Sequence, residues 1–410
     1  MKIGILTSAH PPMDTRVYFK QARTLAGAGH SVYLVARAGG DIRDVHYVPV
    51  PIPASRFARL VTCIQVLKRA AQLQCDVYHI HDPELLPGAV LLKLLTRKRL
   101  VYDVHEKVRK QILNRYWIPP WLRGTVARAY GAIERLCLPW VDHVVFAYDE
   151  EQVGSNVTIV RNYPILSMES ESPPMRRGSA GPILVYCGTV AEIRGGLEMV
   201  EATALLRERF PSVELRIIGS FFPESFEARV RARVAELDLT DHVRLAGRVP
   251  LDTALREVEK CDLGLALPHP DPNLIDSPAT KLFEYMWLRL PVVASNFAAW
   301  RAVIERFDCG IAVDPLSPNS IADAIAALAA DPERMRRLGE NGKAAVLEHY
   351  SWQAEAQKLL AIYARFEAAS GGRRADRFLA ASASAVREDA IPAIADARTE
   401  SVVSSGEPSR

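Results

Sequence analysis

Residues 276–295 read DSPATKLFEYMWLRLPVVAS. Ser277 is a good helix cap, and the proline after it suits a first helical position because it has no amide hydrogen to leave unpaired. The pattern predicts a helix whose free amides face an anion, followed by a buried strand. Asp276 lies just before this helix and Glu284 lies two turns along it, where both can accept hydrogen bonds from sugar and ribose hydroxyls. The stretch favours a nucleotide-sugar site, and an ordinary capped helix on a parallel strand is the alternative.

Short apolar runs alternate with amphipathic runs on both sides of this stretch, as in βαβ units around a parallel sheet. The first half contains six strand candidates, over residues 3–6, 32–36, 77–80, 100–102, 144–146 and 158–160. The second half contains six more, over residues 183–187, 215–218, 243–245, 263–267, 292–294 and 311–313. We therefore predict an α/β protein with two doubly wound, Rossmann-like domains. Its ligands should bind in a cleft lined by the loops after the strands.

The length of 410 residues favours two or three domains, and the composition suggests where they divide. Residues 1–165 are the predicted N-terminal domain and 183–348 the C-terminal domain. Between them, 166–182 is rich in proline, serine and glycine and is predicted to be a linker. Residues 371–410 are rich in alanine, serine and arginine, with few aromatics, and are predicted to be a disordered tail.

Bulk composition excludes several classes of protein. The chain is 49% hydrophobic and 24% charged, as is ordinary for a soluble globular protein. A net charge of +3 is too small to indicate a nucleic-acid partner. The six cysteines include no C-x-x-C pair, which argues against a zinc ribbon or a disulfide framework. No signal peptide and no run of eighteen apolar residues is present, so we expect a cytoplasmic protein.

Three common nucleotide-binding motifs are missing from the sequence, and their absence limits the ways in which a diphosphate could be bound. The chain has no G-x-x-x-x-G-K-[ST], no G-x-G-x-x-G after the first strand and no D-x-D. A diphosphate would then be neutralised by helix amides and by Arg or Lys, with no metal ion and no cofactor. Gly188 after one strand and Arg194 before the next helix suit such a role, because glycine admits a phosphate closely and a guanidinium donates two hydrogen bonds.

Polar residues also follow the strands of the first half. Asp14 or Thr15 can cap the helix that runs to Gly29. His105 ends a strand beside acids that can orient its ring, which makes it a site candidate, whereas His79 within a strand is more simply a packed histidine.

The segment 93–135 contains eleven basic and three acidic residues, interleaved with four aromatic ones, namely Tyr116, Trp117, Trp121 and Tyr130. Such a mixture suits an anionic membrane surface, and a solvated helical face with some core aromatics is the alternative. Under the first interpretation, the cytoplasmic protein would attach peripherally to the inner face of the plasma membrane.

Together these residues resemble family 4 of the retaining glycosyltransferases, a class with the two-domain GT-B fold, over about residues 1–368. Asp276 and Glu284 have the spacing of the E-x7-E motif of that family, with Asp in the first place, and PVVAS follows as in the family. The resemblance implies that Glu284 binds the ribose hydroxyls, that Asp276 serves the donor sugar, and that His105 in VYDVHE lies beside that sugar. All three are therefore predicted catalytic residues.

The resemblance also implies contacts to the rest of the donor. Arg194 matches the basic residue that contacts the diphosphate, whereas Thr189 stands where the family usually has Arg. Lys281 is the candidate substitute. The full predicted donor-binding set is Gly188, Thr189, Arg194, Gly219, Arg248, Val249, Ser277, Lys281 and Glu284. The predicted acceptor-side residues are Asp14, Arg16 and His81, in loops of the first domain, although the first loop lacks the paired glycines of the family. Residues 349–370 resemble the helix that crosses back to the first domain.

The implied activity is metal-independent transfer of a hexose from a UDP- or GDP-sugar to a hydroxyl acceptor with retention of configuration. The basic aromatic segment suggests a lipid-linked saccharide of surface polysaccharide synthesis as acceptor, and a soluble acceptor is the alternative. Two other hypotheses fit the same fold. One is a nucleotide-sugar epimerase, and the other is a non-catalytic nucleotide-sugar-binding protein.

Overall fold

The computed structural model describes residues 1–53, 55, 58–105, 107–114, 118–148, 154–166, 181–271, 274–275 and 280–369. Its strands form two separate parallel sheets. The strands of the first sheet are β1 (Lys2–Leu6), β2 (Ser31–Arg37), β3 (His46–Val50), β4 (Val77–Ile80), β5 (Arg99–Val104), β6 (His143–Phe146) and β7 (Val157–Ile159). Those of the second are β8 (Ile183–Cys187), β9 (Glu214–Ile218), β10 (Val243–Gly247), β11 (Leu263–Ala266), β12 (Val292–Ser295) and β13 (Gly310–Val313).

Helices connect the strands and cover both sheets. In the first half they are a π-helical segment (Thr15–Ala22) that continues as α1 (Arg23–Gly27), then α2 (Ala58–Leu73), α3 (Leu86–Thr96), α4 (Val108–Asn114) and α5 (Pro120–Cys137). In the second half they are α6 (Gly196–Arg207), α7 (Ser225–Glu236), α8 (Leu251–Glu259), α9 (Thr280–Trp287), α10 (Ala298–Phe307), α11 (Pro318–Ala329), α12 (Pro332–His349) and α13 (Trp352–Ala369). None of these helices is both long enough and apolar enough to cross a membrane.

The predicted α/β class with two doubly wound sheets is confirmed. The strand orders are β3-β2-β1-β4-β5-β6-β7 and β10-β9-β8-β11-β12-β13. All twelve predicted strands coincide with observed ones to within two residues at each end. Sequence reasoning missed β3, an edge strand that contains Pro49. Proline cannot donate to a sheet, so it weakens the strand pattern even where an edge tolerates it.

The order of each sheet reverses beside its first strand, between β1 and β4 and between β8 and β11. At such a switch point the connections leave in opposite directions and open a crevice at the carboxyl ends of the strands. Two loops of the first sheet meet there, one carrying His10 after β1 and the other carrying His81 after β4. Gly188 follows β8 at the corresponding place in the second sheet.

Helix α13 packs against the first sheet although it follows the second in sequence. Leu359, Ile362 and Phe366 are buried in the same apolar cluster as the strand residues Ile3 and Ile5. Two polar contacts fix the helix, since Trp352 Nε1 donates to Thr24 Oγ1 at 3.0 Å and the hydroxyl of Tyr363 lies 2.8 Å from His79 Nδ1. His79 is fully buried. The predicted tail, the linker residues 167–180 and residues 276–279 lie outside the described part of the chain.

Candidate active site

His105 follows β5 at the carboxyl edge of the first sheet. Its Nδ1 lies 3.3 Å from Oδ1 of Asp103, which is the last acid of the strand and is completely buried. Burial alone would raise the pKa of Asp103, but the charge of Arg16 and the hydrogen bond from His105 outweigh burial and hold that pKa well below its usual range. Asp103 is thus a fixed anion that orients the ring of His105.

Arg16 lies behind this pair and is only 5% exposed. Its Nε donates to Oδ1 of Asp103 at 3.0 Å and its Nη2 to Oδ2 at 2.9 Å, and Gln21 donates to the same carboxylate. The segment that carries Arg16 begins at Asp14, whose Oδ1 accepts from the backbone amides of Arg16 and Val17 at 2.8 and 2.9 Å. Asp14 is therefore the helix cap that the sequence predicted, and its cap places Arg16 against Asp103.

His10 connects the first loop to this pair. Its Nε2 lies 3.1 Å from Nε2 of His105 and 3.3 Å from Oδ1 of Asp82, while its Nδ1 lies 3.3 Å from Oδ2 of Asp14. Burial alone would lower the pKa of His10, but hydrogen bonds to Asp14 and Asp82 and their charges raise it to about 10. Asp82 also fixes the loop, because it accepts from Thr7 Oγ1 and from the backbone amide of Ala9.

These connected residues form what we call the histidine network, namely His10, Asp14, Arg16, Asp82, Asp103 and His105. His81 lies beside it, 1% exposed, with its ring stacked on His79 at a centroid distance of 4.8 Å. Burial first, and then the charge of His79, lowers the pKa of His81 well below its usual value, so this ring is neutral. Neither ring nitrogen of His81 has a hydrogen-bond partner within the described residues.

Three side chains here offer possible metal ligands. His81, Asp103 and His105 place one ligand atom each within 4.8 Å of one another. The guanidinium of Arg16 occupies the same carboxylate, so a divalent cation would meet a fixed positive charge only a few ångströms away. The three side chains are of types that bind metal ions, but the positive charge of Arg16 opposes the binding of a cation there. The absence of a metal therefore remains a prediction.

The second sheet presents a different arrangement around Gly188, which follows β8 with φ of +138°. A Cβ at this position would overlap Cε of Lys281 and lie 2.6 Å from its Nζ. Only glycine permits both the backbone angle and this close approach. The ammonium of Lys281 also lies 5.5 Å from the centre of the Tyr186 ring. Lys281 is therefore folded over the loop, as a phosphate ligand would require.

Two further charges surround Lys281. Burial first, and then the nearby charge of Arg194, lowers the pKa of Lys281, and Glu284 opposes both. Arg194 ends a short 3-10 turn before α6, and Glu284 lies one turn after Lys281 on α9. Neither Arg194 nor Lys281 forms an ion pair within the described residues. We call this set, Tyr186, Gly188, Arg194, Lys281 and Glu284, the lysine pocket.

Glu284 also acts on the first half of the chain. Burial lowers the pKa of Lys20 to about 7, although the charge of Glu284 opposes this shift across the space between the sheets. The ammonium of Lys20 donates to the carbonyl and to Oδ1 of Asn162, at 3.1 and 2.6 Å. Glu284 of the second half therefore acts electrostatically on Lys20, which lies on the helical segment that also carries Arg16.

The other predicted donor residues are placed at the same edge of the second sheet. Thr189 is exposed, and its carbonyl accepts from the hydroxyl of Tyr186 at 2.6 Å. Gly219 follows β9, and its amide donates to the carbonyl of Gly247 at 2.8 Å. Arg248 and Val249 follow β10, with the arginine exposed. The predicted residues Asp276 and Ser277 lie outside the described residues.

Sequence reasoning missed His10 and Asp82. Both residues stand in loops after strands of the predicted sheet, where ligands of such folds bind, so their position was a usable signal. They could not be paired from the sequence because His10 and Asp82 are far apart in the chain. Only the neighbouring positions of β1 and β4 in the sheet bring them together.

Comparison with known proteins supports the arrangement of the two sheets. Residues 15–152 match the family described as "Glycosyl transferase 4-like domain", and residues 169–345 match "Glycosyl transferases group 1". The chain belongs to family 4 of the GT-B glycosyltransferases. The matches cover both sheets of this glycosyltransferase apart from β1 and β7.

Similar proteins include the phosphatidyl-myo-inositol mannosyltransferase of Mycobacterium leprae, which is 24% identical over 88% of this chain and 96% of its own length. Among solved structures, sucrose-phosphate synthase from Thermosynechococcus elongatus superposes with a TM-score of 0.69 at 18% identity, over 90% of this chain and 99% of that one. HepE of Anabaena in complex with UDP-glucose gives 0.68 at 14% identity, over 89% and 100%. These structures share the GT-B fold with this glycosyltransferase.

Proposed function

We propose that this glycosyltransferase moves a hexose from a UDP- or GDP-sugar to a hydroxyl acceptor, with retention of the anomeric configuration and without a metal ion. Residues 183–348 would bind the donor and residues 1–165 the acceptor. The observation that carries the proposal is the lysine pocket, where Arg194 and Lys281, two cations that form no ion pair within the described residues, meet beside Gly188. Such a pair suits a diphosphate, which is doubly charged and needs fixed positive groups around it.

The chemistry follows from where the charges stand. The bond between the anomeric carbon and the departing phosphate oxygen breaks while the acceptor oxygen bonds to the same face of that carbon. The acceptor proton passes to the departing phosphate oxygen, whose charge Lys281 and Arg194 stabilise. Glu284 accepts from the ribose hydroxyls, and His105 positions the sugar on the other side of the cleft. HepE of Anabaena, a protein of the same fold, is known with UDP-glucose bound, which agrees with a donor of this class.

The test compares two variants with two matched controls. His105→Ala and Glu284→Ala should each reduce transfer at least about 100-fold while the protein stays folded, because each removes a contact to the donor. His46→Ala and Glu348→Ala replace exposed residues of the same types outside the cleft and should leave transfer unchanged. Full activity of both site variants would reject the assignment. Incubation with donor alone distinguishes the alternatives, since an epimerase gives a new nucleotide sugar and a silent binding protein gives neither transfer nor hydrolysis.

The acceptor proposal is a lipid-linked saccharide at the inner membrane face, and it rests on the helices of the first half. On α3, Leu91, Leu94 and Leu95 are 57%, 48% and 75% exposed and form one stripe, because they are spaced three or four residues apart. Helices α2 and α5 contact α3 on either side. They add further exposed apolar residues, namely Leu60, Val61, Ile64, Trp121, Ile133 and Leu136.

Basic residues border this apolar surface. A groove of about 960 Å³ beside α3 is lined by four basic residues, two acidic ones and the half-exposed Trp140, namely Lys93, Arg97, Lys98, Arg99, Asp76, Asp142 and Trp140. An apolar surface with a basic border suits an anionic leaflet, since leucine and tryptophan enter the interface while the cations meet the head groups. Of the segment 93–135, Glu106 and residues 115–117 lie outside the described residues. A similar protein is named a phosphatidyl-myo-inositol mannosyltransferase, and this name agrees with a lipid acceptor.

Flotation with liposomes tests the membrane proposal. The wild-type protein should float with vesicles that contain anionic lipid at low salt and be released as salt rises. Leu94→Glu together with Leu95→Glu should abolish flotation, because two carboxylates would enter the apolar interface. Leu347→Glu changes a leucine of similar exposure on α12 and should have no effect. Absence of wild-type binding at low salt would contradict the lipid-facing version and favour a soluble acceptor.

A further inference from the structure

A small pocket lies at the carboxyl edge of the first sheet, between the helices that follow β4 and β5. Its volume is about 260 Å³. Pro83, Leu86 and Pro87 line it from the segment that leads into α3, whereas Val108 and Ile133 line it from α4 and α5. Pockets for drug-sized ligands usually measure about 300–1,000 Å³, so this small pocket suits a single ring rather than a whole nucleotide sugar.

The polar groups of the small pocket are held in fixed positions. The hydroxyl of Tyr130 donates to Oε1 of Glu134 at 2.8 Å and lies 3.5 Å from the hydroxyl of Tyr102. Burial first, and then the neighbouring Tyr102 and Glu134, raises the pKa of Tyr130 well above its usual value, so its hydroxyl keeps the proton. Within the described residues Glu134 forms no ion pair, so Oε2 of this carboxylate can accept from a ligand.

Glu84, which also lines the small pocket, connects it to the histidine network. Its Oε1 lies 2.9 Å from Ser8 Oγ and pairs with Arg59. Ser8 Oγ lies 3.1 Å from Oδ2 of Asp82, the acid that pairs with His10. The small pocket is therefore separated from the histidine network by a single hydrogen-bonded serine.

The charge of the lining distinguishes between ligands. The carboxylates of Glu84 and Glu134 face the small pocket, and no basic residue lines it in the described part of the chain. A phosphate would meet negative charge here, in contrast to the lysine pocket. An alkyl chain would cover the carboxylate of Glu134 without offering it a hydrogen bond, which costs free energy. A neutral sugar ring fits both features, because its C–H faces are apolar and its hydroxyls donate hydrogen bonds.

The small pocket also borders the apolar surface that we propose to face the membrane. Ile133 is 48% exposed and belongs both to that surface and to the lining of the small pocket. The small pocket thus lies between the proposed membrane-facing surface and the histidine network. A saccharide that is linked to a lipid in the leaflet would meet the small pocket on its way to the cleft.

We propose that the small pocket is an acceptor subsite that holds one neutral sugar ring, next to the ring that carries the reacting hydroxyl. An apolar face of the bound ring lies against Val108 and Ile133, and its hydroxyls donate to Glu134. The subsite selects among acceptors through binding, and none of its groups takes part in the transfer. Its role toward an acceptor rests on the proposed function, whereas the binding of a sugar ring does not.

Ligand-observed NMR with the full chain tests the binding. The probes are the methyl α-glycosides of glucose, galactose, mannose and N-acetylglucosamine, each with UDP and GDP present to fill the proposed donor site. At least one should bind with a dissociation constant of about 1 mM, as a ligand of this size ordinarily reaches. Ile133→Trp places a bulky ring in the small pocket and should abolish the signal. Leu136→Trp makes a similar change on the same helix, at a residue that is 73% exposed and is not part of the described lining, and should preserve it.

A second variant covers the case in which Ile133→Trp does not fold. Glu134→Gln keeps an acceptor for the Tyr130 hydroxyl and removes the charge, so it should weaken binding of the glycoside at least about 5-fold. The proposal would be overturned if no glycoside bound, or if neither variant weakened the binding. It would also be overturned if the small pocket bound n-octanol in place of every glycoside, since its occupant would then be an alkyl chain.

Transfer to disaccharide acceptors that contain the bound glycoside gives the functional arm. Ile133→Trp and Glu134→Gln should each raise KM for the acceptor at least about 5-fold, with kcat and KM for the donor little changed, because the subsite contributes binding alone. A loss of kcat without a change in KM would mean a structural role and would overturn the proposal. Glycoside binding that depends on Ile133, in a protein that transfers to no acceptor and hydrolyses no donor, would instead reject the proposed function and leave the sugar site standing.

Discussion

The two edges of the cleft neutralise their charges in opposite ways. In the histidine network, Arg16 pairs with Asp103 and His10 lies between Asp14 and Asp82, so each cation has a carboxylate partner within the protein. In the lysine pocket, Arg194 and Lys281 lie close together and form no ion pair within the described residues. An edge whose cations already have carboxylate partners suits a neutral ligand with hydroxyl groups, whereas an edge whose cations form no ion pair in the described part of the chain suits an anion. The difference agrees with a sugar on one side and its diphosphate on the other.

The largest expected effect comes from removing the charge of Arg16 from the histidine network. Arg16→Met leaves the completely buried carboxylate of Asp103 without its cation, and breaking a buried ion pair by removing one partner costs about 3–5 kcal/mol of folding free energy. Thermal or denaturant unfolding measures the loss. The control is Arg43→Met, which removes an arginine whose pair with Asp41 is fully exposed, and its stability should be unchanged. Equal stability of both variants would show that Arg16 does not stabilise the buried carboxylate of Asp103.

Removing a cation from the lysine pocket should weaken donor binding more than it lowers the stability of the fold. Lys281→Met removes a charged donor to the proposed diphosphate, and a hydrogen bond to a charged group contributes about 1.5–3 kcal/mol, or roughly 10- to 150-fold in the dissociation constant of the donor. Titration calorimetry with UDP- and GDP-sugars measures it. The matched control is Lys343→Met, whose ammonium also lies over an aromatic ring, that of Trp287 at 4.7 Å, but on a helix outside the pocket.

A second substitution sharpens this test. Thr189 occupies the place where the resemblance to family 4 implies an arginine, so Thr189→Arg in the Lys281→Met background should recover part of the donor affinity. Unchanged affinity in Lys281→Met would contradict the assignment of Lys281 as the substitute cation.

The two edges were also unequally predictable from the sequence. Parallel strands buried on both faces read as continuous apolar runs, which is why twelve of the thirteen strands in the described part of the chain could be placed from local pattern alone. Gly188, Arg194 and Lys281 were found because each stands in a recognisable local context, namely a strand end, a glycine-rich helix start and the first turn of α9. The predicted roles of these three residues in donor binding remain predictions, as do those of Gly219, Arg248 and Val249.

The histidine network was harder to predict because its contacts join distant parts of the chain. Arg16 and Asp103 are 87 residues apart, and His10 and His105 are 95 apart. Arg16 was expected on the acceptor side, and the structure places its guanidinium behind Asp103, where it orients the anion that holds His105. Without the register of β1, β4 and β5, no local pattern shows that these side chains meet.

The smallest expected effect concerns Lys20, which links the two edges. The pKa of Lys20 is about 7 in the folded protein and near 10.4 when the chain is unfolded, so the folded state binds fewer protons between these values. The free energy of unfolding should therefore rise with pH across this range, by at most about 1.4 kcal/mol between pH 7 and pH 8, relative to Lys20→Met at the same pH. Denaturant unfolding of both proteins in matched buffers measures the difference.

Glu284 provides the decisive variant for this last prediction. Its negative charge raises the pKa of Lys20 across the cleft, against the effect of burial. Glu284→Gln removes that charge, so the pKa of Lys20 should fall further and the rise in stability should begin at lower pH. Glu348→Gln removes an exposed carboxylate of the same half of the chain and should leave the profile in place. If Glu284→Gln also left it in place, the carboxylate would not face Lys20, and the two edges would not share one electrostatic environment.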